Sequence, residues 1–299
     1  MKSLKKIFLI GKIEEGSFRY VGTNIVQKNN CILIDQDHYA EGIDAIDMTN
    51  YKHLDNEAVL DKHGQALYRS KVGGLNWLAI QTRPDIAFDV MQLSTYFGTA
   101  KVKHLKEVNK CIKVVKHEKV TIRYPKLKDQ DSWKIVSLGD GAHANLPDKV
   151  SSSGGHIVFL MDKNGNSCPL SWAVNKIQRV VRSSLAAEAM TMQDAVENAM
   201  FIKAMLIDIL GCERKLELKI ELVTDNKSLT EAIYRNTQVS DKRLRIDIAA
   251  LKQEVEEGDV LVTWVPGSRM LADVLSKKGV KKDLLNSILR SGKILVDGV

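Results

Sequence analysis

The sequence predicts an α/β protein: a mixed β-sheet with helices on both faces, preceded by a smaller α+β unit. Three observations point there. Residues 133–174 hold three strand-like segments in succession, two of them joined by the turn Asp162–Asn166 (DKNGN). After them strands and helices alternate, beginning with a long helix. The first 125 residues follow another plan, with strands first, then helices, then one short strand.

Taken in order, Phe18–Val26 and Cys31–Ile34 read as the strands of a hairpin turning at Lys28-Asn29-Asn30. Residues 51–64 are polar and read as a loop. A helix is expected over 66–80, with Gly73-Gly74 marking close packing or a break. Pro84 suits the first turn of the next helix, which runs to about Phe97. Leu105, Val108, Ile112 and Val115 recur at one-turn spacing on a third helix, and Val120–Tyr124 reads as a strand. The polar stretch Lys126–Asp131 is the linker between a unit at about 1–130 and one at about 131–280, with 281–299 as a tail.

In the second unit, Trp133–Asp140, Gly154–Met161 and Pro169–Val174 are strands. Leu185, Ala189, Met192, Val196 and Met200 share one face of a helix from about Ser184 to Leu210, stopped by Gly211. Leu218–Thr224 is a strand. Leu244, Ile248, Leu251 and Val255 face the core from a helix over 241–257, and a last strand ends near Trp264. Trp133, Trp172 and Trp264 are expected in the core.

The 299 residues, 44% hydrophobic, are enough for about two folded units. A net charge of +7 with pI near 9.0 suggests a polyanionic partner. The four cysteines form no CxxC pair, which argues against a zinc site or a disulfide framework and for a reducing compartment. No apolar run reaches the roughly 18 residues of a membrane span, and Ile7–Ile10 is too short for a signal-peptide core, so an intracellular location, cytoplasmic or nuclear, is expected.

Four carboxylates fall at converging element ends: Asp140, Glu188, Asp225 and Asp273. Each has a plain alternative role. Ser184 would cap the long helix with Glu188 complementing its dipole, and Asp225-Asn226 or Asp273 would cap the helices they open. Jointly, such a cluster can hold two divalent ions about 3.5–4 Å apart over a phosphodiester.

The local sequence around these acids resembles the ribonuclease H domain of copia-type retrotransposon polyproteins. The matching stretches are Ser183-Ser184-Leu185-Ala186-Ala187-Glu188, Thr224-Asp225-Asn226, and Trp264-Val265-Pro266-Gly267 followed by Leu271-Ala272-Asp273. Ser171-Trp172 with Lys176-Ile177-Gln178 matches the strand and turn before the glutamate helix. Tyr68–Ala79 and Thr82-Arg83-Pro84-Asp85-Ile86 look like the family's segment between polymerase and nuclease. Phe18–Gly22 looks like the end of its reverse transcriptase palm. The resemblance implies a ribonuclease H-like sheet, and Asp140, Glu188, Asp225 and Asp273 as catalytic metal ligands. It implies two Mg2+ ions, with Mn2+ as a substitute, and cleavage of the RNA strand of RNA–DNA hybrids. Ser184 and Asn226 are candidates for reading 2′-hydroxyls, and Lys242 and Arg243 for phosphate contact.

The chain departs from the family in places. Ser268 stands where such nucleases often carry a histidine, and His143 and His156 are weaker candidates for that help. Asp140 sits between glycines, in Gly139-Asp140-Gly141. No polymerase aspartate pair precedes Phe18, so no polymerase activity is expected. Glu188 precedes Asp225, the opposite of the integrase order. Two further readings remain: a nucleic-acid-binding module without catalysis, whether relic or co-opted protein, and a structural subunit that pairs with a complete reverse transcriptase.

Overall fold

The computed structural model describes residues 13–210, 217–235, 239 and 241–294. The expected stop at Gly211 and Cys212 lie outside them. The first sheet is antiparallel, in the order β1 (Ser17–Tyr20), β2 (Thr23–Lys28), β3 (Cys31–Asp35), β4 (Ile122–Pro125). The expected first strand is thus itself a hairpin. Gly22 (φ 79°) and Val21 (φ 46°) turn the chain in the left-handed region, and Tyr20 pairs with Thr23. Four helices stand between β3 and β4: α1 (Asp37–Glu41), α2 (Lys62–Gln81), α3 (Ala87–Ser94) and α4 (Val102–His117). Helix α2 begins at a cap, Asp61 accepting from the Gly64 amide at 2.7 Å, and runs unbroken through Gly73-Gly74. Gly74 lets the Tyr39 hydroxyl pack close. Behind α2, Arg83 and Asp85 form a buried two-pronged ion pair at 2.8 Å, and Thr82 donates to Gln36 at 2.9 Å. Arg83 also donates to the Val115 carbonyl of α4 at 3.4 Å, so the Thr-Arg-Pro-Asp stretch ties the end of α2 to α4 and to the start of α1.

The second sheet is mixed, in the order β7 (Ser167–Lys176), β6 (Ser153–Met161), β5 (Lys134–Ala142), β8 (Lys219–Thr224), β9 (Val260–Trp264). β7, β6 and β5 are antiparallel; β8 and β9 run parallel to β5. This is the mixed α/β sheet the sequence predicted. Its period-2 alternation fills two cores. Ile135, Val158, Leu160, Ile220 and Leu222 face α5 (Ser184–Leu210), α6 (Lys227–Tyr234) and α7 (Lys242–Glu256). Val136, Leu138, Ile157, Phe159, Met161 and Val223 face the other way, onto α8 (Asp273–Ser276) and α9 (Asp283–Ser291). Full burial of one such side chain stabilises by about 1.5–3 kcal/mol.

That second core is shared with the first sheet. Val120 and Ile122 join Leu285, Ile288 and Leu289 in it. Trp172 Nε1 donates to the Ala79 carbonyl at 2.8 Å, and Lys282 pairs with Asp89 at 2.8 Å. Residues 281–294, beyond the expected limit of the second unit, contain α9, and the Ser167 amide bonds the Gly292 carbonyl at 2.9 Å. Of the three tryptophans expected inside, Trp133 and Trp172 are half-buried, but Trp264 is exposed. β9 is the sheet edge, and the Trp264 ring instead lies under the Lys227 ammonium, 4.5 Å away. Cys31, Cys111 and Cys168 are buried free thiols. No described helix is long and apolar enough to cross a membrane.

Candidate metal centre

Strand parity decides where Asp140 points. It shares a face with Val136 and Leu138, toward α8, while Gly139 and Gly141 face α5. Asp140 lies inside β5 rather than at its end, because pairing with β6 continues through Ala142 and Ser153. It is completely buried. Two glycines let helices approach on opposite faces. A Cβ at Gly141 would collide with the α5 backbone at Ala187 and Glu188, and one at Gly155, the register partner of Asp140, would collide with Leu275 of α8.

The other acids arrive from separate elements. Asp225 follows β8; its carbonyl accepts from Trp264 Nε1 at 2.8 Å, and Asn226 caps α6 through the Leu229 amide at 3.0 Å. Asp273 opens α8 but does not cap it. One oxygen each from Asp140, Asp225 and Asp273 lies within 4.8 Å of the others. Glu188, in the second turn of α5, approaches from the sheet's other side, close enough to Asp140 and Asp225 for their charges to act on its carboxyl. Burial raises the Glu188 pKa, and the Asp140 and Asp225 charges raise it further. Burial and Asp140 also raise Asp225. Asp273 is raised by burial and Asp140, with Lys277 opposing. Glu188 Oε2 is buried with no partner among the described residues. An all-carboxylate donor set with an orphaned buried oxygen fits a hard divalent cation.

The remaining predicted residues are placed as follows. Ser184 is exposed at the first position of α5; the capping hydroxyl is that of Ser183, 3.2 Å from the Ala186 amide, because the helix starts one residue earlier than a Ser184 cap requires. Lys242 and Arg243 are exposed on the first turn of α7, which Asp241 caps. Ser268 is exposed on a short turn after β9. His143 is exposed, its Nε2 3.1 Å from the Val181 carbonyl oxygen. His156 is buried, and burial depresses its pKa to about 4.

Sequence reasoning missed Ser276 and Lys277. Ser276 donates a short hydrogen bond to Asp140 Oδ2. Its carbonyl accepts from Asn145 Nδ2 and Ser153 Oγ, both at 2.8 Å, which fixes the last turn of α8. Lys277 Nζ lies 2.6 Å from Asp273 Oδ1 and 3.1 Å from Asp140 Oδ2. Its spacing of four from Asp273, the first residue of a helix, was the available signal.

No family model matches the chain. Among curated proteins it is similar to the retrovirus-related Pol polyprotein from transposon RE1 of Arabidopsis thaliana, 27% identical over 214 residues. It is also similar to that from transposon RE2, 26% identical over 214 residues. Both alignments cover 70% of this chain but 14% of the relative, so the chain spans a small part of those polyproteins. A putative transposon Ty5-1 protein of Saccharomyces cerevisiae is 24% identical, over 62% of this chain and 61% of the relative. Solved structures similar to it include LC11-RNase H1, isolated from compost by a metagenomic approach (TM-score 0.37, 19% identity, 50% of this chain and 98% of that chain). Another is the foamy viral protease-reverse transcriptase in complex with RNA/DNA hybrid (TM-score 0.45, 13% identity, 89% of this chain and 30% of that chain).

Proposed function

From a chain whose homologues are the retrovirus-related Pol polyproteins of copia-type transposons, we propose a ribonuclease H-type activity: hydrolysis of the RNA strand of RNA–DNA hybrids. The observation that carries this reading is the meeting of Asp140, Asp225 and Asp273 within 4.8 Å, with buried Glu188 against Asp140. Asp140 and Asp225 would hold both of two divalent ions, Glu188 one and Asp273 the other. Mg2+ suits these oxygen donors, and Mn2+ substitutes. When bound, two such ions activate a water and stabilise the leaving 3′ oxygen. The water oxygen bonds to phosphorus as the bond to the 3′ oxygen breaks.

The protein's own residues do the positioning. The cap at Asn226 and the Trp264 hydrogen bond fix the backbone around Asp225, and the Ser276 hydroxyl fixes one oxygen of Asp140. Ser184 opens the helix that carries Glu188 and Asn226 follows Asp225 directly, and both would serve as readers of 2′-hydroxyls. Lys242 and Arg243 offer exposed charge for phosphates. The exposed Tyr20, Val21 and Ile32 on the first sheet suit a second subunit, such as a complete reverse transcriptase.

The test is cleavage of labelled RNA–DNA hybrid with Mg2+, beside duplex DNA, duplex RNA and the Asp225→Asn protein. Hybrid-only cutting that falls by roughly 10³-fold or more in Asp225→Asn is expected. A folded wild type that cuts nothing with either Mg2+ or Mn2+ would leave the second reading, binding without catalysis. The lysine ammonium lodged among the acids is the observation in that reading's favour.

A further inference from the structure

The acidic cluster contains a cation supplied by the chain itself. Lys277 stands one turn beyond Asp273. A surface pair at this spacing would bind Asp273 alone and contribute little. Here Nζ also lies 3.2 Å and 3.1 Å from the two oxygens of Asp140, a fully buried carboxylate on another element. The contact is built rather than incidental. The short hydrogen bond from Ser276 to Asp140 and the grip of Asn145 and Ser153 on the Ser276 carbonyl fix the backbone just before Lys277. Across Asp140, Glu188 Oε2 is buried and unpartnered among the described residues, so one positive charge does not satisfy the site. The lysine side chain is 40% exposed, which leaves its ammonium a way out to solvent.

We propose that Lys277 is the resident cation of the site: its ammonium neutralises Asp140 and Asp273 in the metal-free protein, and a divalent ion gains those oxygens by displacing it. The inference rests on the metal site of the nuclease reading. Three consequences follow from charge alone. The metal-free fold is held together by Lys277, metal affinity is lower than the four carboxylates would otherwise give, and the lysine amine becomes free when metal binds.

The experiment uses the full chain in two forms. Wild type and Lys277→Met, which keeps the apolar stem, are titrated with Mg2+ and Mn2+ by calorimetry and melted with and without metal. The variant is expected to bind metal roughly tenfold more tightly or better, the effect of about one unopposed partly buried charge pair. It should melt lower without metal and recover at saturating metal. In unmodified protein, acylation of Lys277 by acetic anhydride, read by mass spectrometry, should rise when Mg2+ is added. This arm decides the matter if the variant does not fold. Equal or weaker affinity in a folded variant overturns the inference, as does acylation indifferent to metal. Displacement of Lys277 by metal in a protein that leaves the hybrid uncut sustains the inference and sinks the nuclease reading. Cutting with Lys277 unmoved does the reverse.

Discussion

Glu188 is the residue whose ionisation most strongly couples fold to site. Burial and the Asp140 and Asp225 charges raise its pKa well above the ordinary 4.5. Below about pH 4.5 it is protonated in both folded and unfolded chains and contributes no pH dependence. Above that value the unfolded chain ionises while the folded one keeps its proton. Metal-free stability should therefore fall as pH rises from about 4.5 toward the folded value. Glu188→Gln removes this slope. Thermal melts without metal should show the variant more stable by about 1–3 kcal/mol at pH 8 and equal to wild type near pH 4. Added Mg2+ should stabilise wild type more than the variant, which keeps only the ligands of the other ion. Parallel melting curves across the pH range would refute the assignment. His156 works in the opposite sense: depressed to about 4, it weakens the fold only as pH drops below 6.5.

At the scale of elements, the site exists because two helices press onto the two faces of paired strands β5 and β6. Glycine makes this possible at Gly141 for α5 and at Gly155 for α8, since a methyl at either would meet helix backbone rather than a flexible side-chain end. Gly155→Ala should push α8 off the sheet and carry Asp273 away from Asp140, at a cost of about 1–3 kcal/mol. A loss of metal-induced stabilisation larger than the loss in metal-free stability would mark displacement of the site. A protein as stable and as metal-responsive as wild type would refute the packing argument. Gly73, where a Cβ meets nothing within 4 Å, should accept alanine without loss and serves as the control.

The whole molecule joins its two sheets through one core. Val120 and Ile122 cover Leu285, Ile288 and Leu289, and the Trp172–Ala79 and Lys282–Asp89 contacts cross the same boundary. A protein shortened to residues 131–299 keeps Asp140, Glu188, Asp225 and Asp273 but uncovers that surface. It should melt lower than the full chain and bind more of a hydrophobic dye, while Trp172→Phe in the full chain should cost about 1 kcal/mol through the lost hydrogen bond. An isolated segment with the melting temperature of the full chain would show that the halves are energetically independent.

The sequence by itself determined the periodicities that make β5, α5 and α7, the turn Asp162–Asn166 and the four acids in their order. These depend on neighbours in the chain: alternation along a strand, one-turn spacing along a helix, a cap at a helix start. The hairpin at Val21-Gly22 was also written locally, but Phe18–Val26 reads as one strand until Gly22 is given its left-handed role. Only the tertiary structure decided that Trp264 lies at an exposed edge, that Asp140 points at α8 rather than α5, and that Lys277 enters the cluster. Each depends on which strands are neighbours and which helix covers which face. Those are contacts between residues far apart in the chain, and no local pattern records them.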